Sequence, residues 1–111
     1  MRQYTTPEQT AKLIELGFEK PWRNECLHIL EEYGYVVEEA RNFSIGELLS
    51  FLPKSIKVND LFFTLCIHSS SDYWIVEYAD IAFGTQARLC KEELIDALFT
   101  EIVILKEEGV I

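Results

Sequence analysis

Hydrophobic and polar residues alternate in two neighbouring stretches in the middle of the chain, as half-buried β-strands require. The alternation predicts strands over residues 60–68 and 73–79, joined as a hairpin. Pairing His68 with Tyr73 leaves a four-residue loop, whereas a slip of one residue would bring Glu77 onto the most apolar face. That register aligns Ile67 with Trp74, Leu65 with Val76, and Phe63 with Tyr78.

Apolar residues at helical spacing predict three helices. The stretch "TTPEQTAKLIELGF" has a capping box formed by Thr6 and Gln9, and a stop at Gly17. The stretch "NFSIGELLSFLP" has an S-x-x-E capping box and ends at about Leu52, before a proline. The third helix covers residues 91–108 and presents a wide apolar stripe.

Residues 23–42 fit two structures. As a helix they place Cys26, Ile29, Leu30 and Tyr33 on one face, and as a hairpin "CLHIL" and "YVVEE" flank a turn. The β-branched pair in "YVVEE" favours the hairpin. With a short further strand at 85–89, the pattern predicts one α+β domain over 1–111: an antiparallel sheet built on the 60–79 hairpin and packed by two to three helices.

Composition narrows the functional classes. The chain has a formal net charge of −9 and no Lys/Arg cluster, which argues against nucleic-acid binding. No apolar run approaches the length of a membrane span, and nothing resembles a signal peptide. Three widely spaced cysteines do not form a disulfide framework, so we expect a cytoplasmic protein with reduced thiols.

Two Cys-x-His pairs are the clearest candidate for a metal site. If 26–30 is a strand, Cys26 and His28 share one face, as do Cys66 and His68 on theirs, and together they offer four ligands to zinc. The spacing is not typical of zinc sites, and buried cysteine often acts as a small apolar residue. Packing is therefore the simpler interpretation.

Catalysis has little support in the sequence. The run Ser69–Asp72 lies where the hairpin needs a loop, and adjacent residues at a tip seldom meet the geometry of a nucleophile and its base. Cys90 precedes a helix whose N-terminus would favour a thiolate, but Glu92 and Glu93 oppose that effect. The paired glutamates elsewhere are typical of solvated surfaces. We expect no catalytic residues.

The second face of the hairpin is apolar enough to need cover. Phe62, Tyr73 and Ile75 lie on it, so either the hairpin over 23–42 or another chain should cover it. The sequence therefore predicts a non-enzymatic protein-interaction module that forms a homodimer or binds a protein partner. The alternative is a protein that binds zinc or a small ligand.

Four segments carry a family resemblance: "TPEQTAKLIELGFEKP", "FSIGELLSFLPKSI", "WIVEY" and "ELIDALFTEIVILKEEGVI". Together they resemble a family of small proteins from bacteriophages and from phage-derived regions in the genomes of gut anaerobes. The family has no established activity, so the resemblance implies a fold and a phage-related accessory role, and no chemistry.

Overall fold

A four-stranded antiparallel sheet forms the centre of the fold in the computed structural model, which describes residues 1–19, 24–34 and 41–111. The strands are β1 (Ser55–Val58), β2 (Leu61–Ser69), β3 (Trp74–Asp80) and β4 (Gly84–Lys91), and they lie in the sheet in chain order. The helices are α1 (Pro7–Glu15), α2 (Asn24–Glu32), α3 (Ile45–Phe51) and α4 (Leu94–Glu107). The predicted α+β class with an antiparallel sheet is confirmed.

The hairpin forms with a register two residues away from the predicted one. Ser69 pairs with Trp74 and Ile67 with Val76, and Ser70 N–H donates to the Tyr73 carbonyl at 2.9 Å, so Ser71 and Asp72 make the turn. Because side chains alternate with period two, a shift of two keeps every residue on its expected face. Phe63, Val76 and Tyr78 are accordingly buried in the core.

Capping chemistry fixes the ends of α1 and α3 as the sequence predicts. The Thr6 hydroxyl accepts from Gln9 N–H, the Ser44 hydroxyl accepts from Glu47 N–H, and both boxes are completed by the return bond to the cap backbone. The apolar stripe of α4 lies across the core face of β3 and β4 and also packs on α3. These contacts make α4 the main cover of the sheet.

Residues 26–30 form part of a helix, so of the two structures that residues 23–42 fit, the favoured hairpin is wrong at this position. The helix α2 spans Asn24–Glu32 and is followed by a turn at Tyr33 and Gly34. The other predicted strand, "YVVEE" at 35–39, lies outside the described residues. One strand was not predicted at all: β1 pairs with β2 through a tight turn at Asn59 and Asp60, whose φ angles are 51° and 67°.

The N-terminal segment is tied to the first turn of α4. Arg2 forms an ion pair with Asp96, and Gln9 Nε2 donates to the same carboxylate at 2.8 Å. Partial burial disfavours ionisation of Asp96, but the hydrogen bonds from Gln9 and Arg2 and the nearby positive charges outweigh it and hold its pKa below the ordinary value. These contacts join residues that are far apart in the chain.

Candidate interaction surface

The sheet has a second face, opposite α4, that we call the open face. The β-pairing places on it one set of side chains that share a side across all four strands. They are Ser55 and Lys57 from β1; Phe62, Thr64, Cys66 and His68 from β2; Ile75, Glu77 and Ala79 from β3; and Thr85, Arg88 and Cys90 from β4.

A three-residue charge cluster lies at the centre of the open face. Glu77 lies between two basic side chains: His68 Nε2 is within hydrogen-bond distance of Oε1 at 3.3 Å, and Arg88 Nε forms an ion pair with Oε2 at 3.4 Å without a hydrogen bond. Glu77 is only 8% exposed, whereas the side chains of His68 and Arg88 are about half exposed. A nearly buried carboxylate needs a nearby positive charge, and Arg88 supplies it.

A β-bulge brings Arg88 to this position. The register between β3 and β4 shifts between Val76 and Tyr78, so Ala87 and Arg88 together lie opposite Glu77. Ala87 takes a left-handed conformation with a φ of 52°. The extra residue is typical of bulges that redirect a side chain, and here it allows Arg88 to face Glu77.

The three predicted interface residues do not form one patch. Ile75 lies between His68 and Cys90 and is only 7% exposed, so a partner could reach little of it. Phe62 is 62% exposed and Tyr73 is 49% exposed. Tyr73 lies level with Ser70, eight residues along β2 from Phe62, which separates the two positions by about 26 Å along the strand.

An apolar end of the sheet was not predicted from the sequence. Ile81 is fully exposed and Phe83 largely so, both in the β3–β4 turn, at the same end of the sheet as Phe62. The Asp80 carboxylate fixes this turn by accepting from Ala82 N–H at 2.8 Å and Phe83 N–H at 3.0 Å. The sequence did carry a signal for this apolar end: the turn "DIAFG" contains apolar residues, whereas turns are normally polar.

A shallow open pocket adjoins this end. It is lined by Thr64, Cys66, Ala79, Asp80 and Ile81. Its walls are small or apolar apart from the Asp80 carboxylate, and its mouth is wide. Such a depression can accept a protruding side chain.

The predicted zinc site loses its geometric basis. Cys66 and His68 do share the open face, but residues 26 and 28 lie in the helix α2, so the strand geometry on which the first Cys-x-His pair depended is not present. His28 is exposed and lies 3.8 Å from Glu31. Among the described side chains, no three His, Cys, Asp or Glu residues are grouped so that they could hold a metal ion. Zinc binding stays a prediction.

The remaining chemical candidates, Cys90 and the serines near the β2–β3 turn, lie on different elements of the sheet. Cys90 is exposed near the end of β4, on the open face, and three residues lie between it and the first residue of α4. Of the residues predicted to form the hairpin loop, Ser71 and Asp72 make the turn and Ser70 flanks it, whereas Ser69 is the last residue of β2. Within the described ranges, no helix combines the length and apolar character needed to cross a bilayer.

Comparison of the chain with protein-family models, with curated proteins and with solved structures gives no match.

Proposed function

We propose that the protein is a non-enzymatic interaction module whose open face binds a second copy of the same chain. The observation that carries this proposal is the distribution of charge. The whole chain has a net charge of −9, but the open face holds Lys57 and Arg88 against Glu77, a net charge of +1 with histidine neutral. The remaining residues therefore sum to −10.

This distribution favours contact between open faces. Two copies that approach through other surfaces bring like charges together, which opposes association over about a Debye length of 8–10 Å. Open faces that meet place few acidic groups at the contact. The central Glu77 is already balanced by Arg88, so its burial against a second copy adds little uncompensated charge.

Two features of the open face favour contact between copies. The protruding ring of Phe62 and the depression beside Thr64 and Cys66 lie on the same surface. A two-fold axis can therefore place each ring in the other copy's depression, as contacts between identical patches require. Four strands about 4.8 Å apart, with a mean length of seven residues or about 23 Å, give about 440 Å² in plan on each copy, the size of a weak dimer.

The sheet edges are less suited to association. β1 is short, with Lys57 on it, and β4 is interrupted by the bulge at Ala87 and carries Arg88 and Lys91. Short strands, bulges and basic side chains are the devices that prevent edge-to-edge pairing. We therefore place the contact on the face of the sheet.

Sedimentation velocity tests the proposal over concentrations from about 1 μM to about 1 mM, the range in which a contact of this size associates. We expect a monomer–dimer equilibrium that Phe62→Ser shifts to monomer. Ile29→Ser is the matched control, because Ile29 is a 54% exposed apolar residue in α2, away from the sheet. A wild-type protein that stays monomeric, or a dimer that both variants affect equally, contradicts the proposal.

The biological setting follows from the resemblance alone. If the chain is related to small phage-associated proteins, it would act among them as a homodimeric accessory protein without catalytic activity. In such a dimer each copy would expose its own apolar end of the sheet, formed by Ile81 and Phe83.

A further inference from the structure

Glu101 is an acidic residue in the middle of the apolar side of α4. Its side chain is 0% exposed, the same as those of Leu98 and Ile102 on either side of it. Nearly every other inward-facing position of α4 is aliphatic. A carboxyl group at the centre of a packed core is rare unless it is paired.

The carboxyl group has no partner in the described part of the chain. Both Oε1 and Oε2 are buried and make no hydrogen bond. A neighbouring phenol, cation or carboxylate would stabilise either the charged or the neutral form of Glu101. Its protonation state therefore depends on the groups that every element packed against α4 brings near it.

In the part of the chain that the structure describes, the positive charges nearest α4 are engaged with other groups. Lys12 of α1 forms an ion pair with Glu107, and Lys106 of α4 lies over the ring of Phe18. From β3, the phenol of Tyr78 interacts with Glu101, but its hydroxyl donates to the Pro53 carbonyl at 2.8 Å. From β4, Lys91 acts on Asp96 and Arg88 on Glu77, while Cys90 lies on the open face. From α3, Glu47 forms the capping box, and on α4 itself Glu108 adds negative charge.

The surroundings therefore favour the neutral acid. Burial is the main cause and the charge of Glu108 the second, and together they raise the pKa of Glu101 from 4.5 to about 8. Ionisation without a partner would leave an uncompensated charge between α4 and the sheet.

We propose that Glu101 makes the packing of α4 on the sheet sensitive to pH: the helix is held by a protonated core carboxyl, and loss of that proton loosens it. This inference does not depend on dimer formation. It identifies a built-in device by which the fold weakens as the pH rises through the neutral range.

The direction follows from proton binding. Below about pH 4.5 the carboxyl is protonated in both folded and unfolded chains, so its contribution is complete. Between about pH 4.5 and about pH 8 only the folded chain keeps the proton, and the unfolding equilibrium constant rises up to tenfold for each pH unit. Above that range the loss is complete.

Urea unfolding at a series of pH values tests the inference with wild type, Glu101→Gln, Glu101→Leu and Glu15→Gln. Glu15 is an exposed carboxyl at the end of α1 and serves as the control. From pH 5 to pH 7 we expect the unfolding constant of wild type and of Glu15→Gln to rise on the order of 100-fold more than that of either Glu101 variant. Parallel profiles for all four proteins would overturn the inference.

A direct titration keeps the test decisive if both Glu101 variants fail to fold. The ¹³C resonance of the Glu101 carboxyl in the wild-type protein should titrate in the neutral range. A midpoint near 4.5, the ordinary value for a glutamate, would overturn the inference.

Discussion

A relay of buried hydroxyl groups joins α1 to the segment before α3, and Thr10→Val should break it. Phe43 N–H donates to Thr5 Oγ1 at 2.9 Å, the two threonine hydroxyls are 2.7 Å apart, and the Thr10 hydroxyl donates to Asn42 Oδ1 at 2.6 Å. Because each hydroxyl has one proton, Thr5 must donate to Thr10. Valine keeps the shape of Thr10 and removes only the polar link.

The expected cost can be worked from these bonds. Thr10→Val removes two hydrogen bonds, worth about 1 kcal/mol each, and leaves the Thr5 hydroxyl buried without an acceptor, at about 1–3 kcal/mol. The gain from replacing a hydroxyl by a methyl group offsets about 1 kcal/mol. A net loss of about 2–4 kcal/mol follows, which corresponds to a fall of about 8–16 °C in Tm for a chain of this length.

Thr10→Ser is the control that separates polarity from size. Serine keeps the relay and loses one methyl group, at a cost of about 1 kcal/mol for a buried methyl. Thermal and urea unfolding monitored by circular dichroism should therefore rank the proteins wild type, Thr10→Ser, Thr10→Val, in falling stability. If valine is tolerated as well as serine, or better, the relay does not stabilise the fold and the reasoning fails.

Two further substitutions test the sheet and the core. Asp60→Gly should raise the free energy of unfolding by roughly 0.5–1 kcal/mol, because glycine adopts the left-handed conformation of this turn without strain. The ion pair with Lys57 that this change removes is a weak surface contact. A fall in the urea midpoint would contradict the turn geometry. Leu98→Ala should lower the free energy of unfolding by about 2–5 kcal/mol, whereas Leu49→Ala, at a partly exposed position of α3, should cost less than half as much. Equal losses in urea unfolding would show that Leu98 does not lie in the core.

The elements that could be predicted from the sequence are those fixed by local chemistry. The capping boxes at Thr6 and Ser44 and the stop before Pro53 depend on neighbours within a few residues. Strand faces were predictable for the same reason, since the alternation in β2 and β3 decides which side chains point to the core. The register was wrong by two because a shift of two leaves that alternation unchanged.

Other features depend on contacts that the sequence does not show. The β-branched residues at 36 and 37 favoured a hairpin, but residues 24–32 form a helix, as propensity alone is a weak guide. The strand β1 was missed because it is four residues long and its turn lacks glycine, although Asn59 and Asp60 are residue types that tolerate the left-handed conformation of a two-residue hairpin turn.

The candidate surface was predictable only in part. Alternation placed Phe62 and Ile75 on the second face, but it could not show that neighbours bury Ile75 or that Phe62 and Tyr73 lie far apart. Glu101 was visible in principle, because it follows Leu98 by three and precedes Leu105 by four within the apolar stripe of α4.

The chain-order arrangement of the four strands bears on how the protein reaches its folded state. Each strand pairs with the next one along the chain, so the sheet assembles through short loops and carries a low contact order. The distant contacts belong to the ends of the chain, where Arg2 and Gln9 meet the first turn of α4. We expect the hairpins to form early and the contacts between the N-terminal segment and α4 to form last, because closing the longest loop costs the most chain entropy.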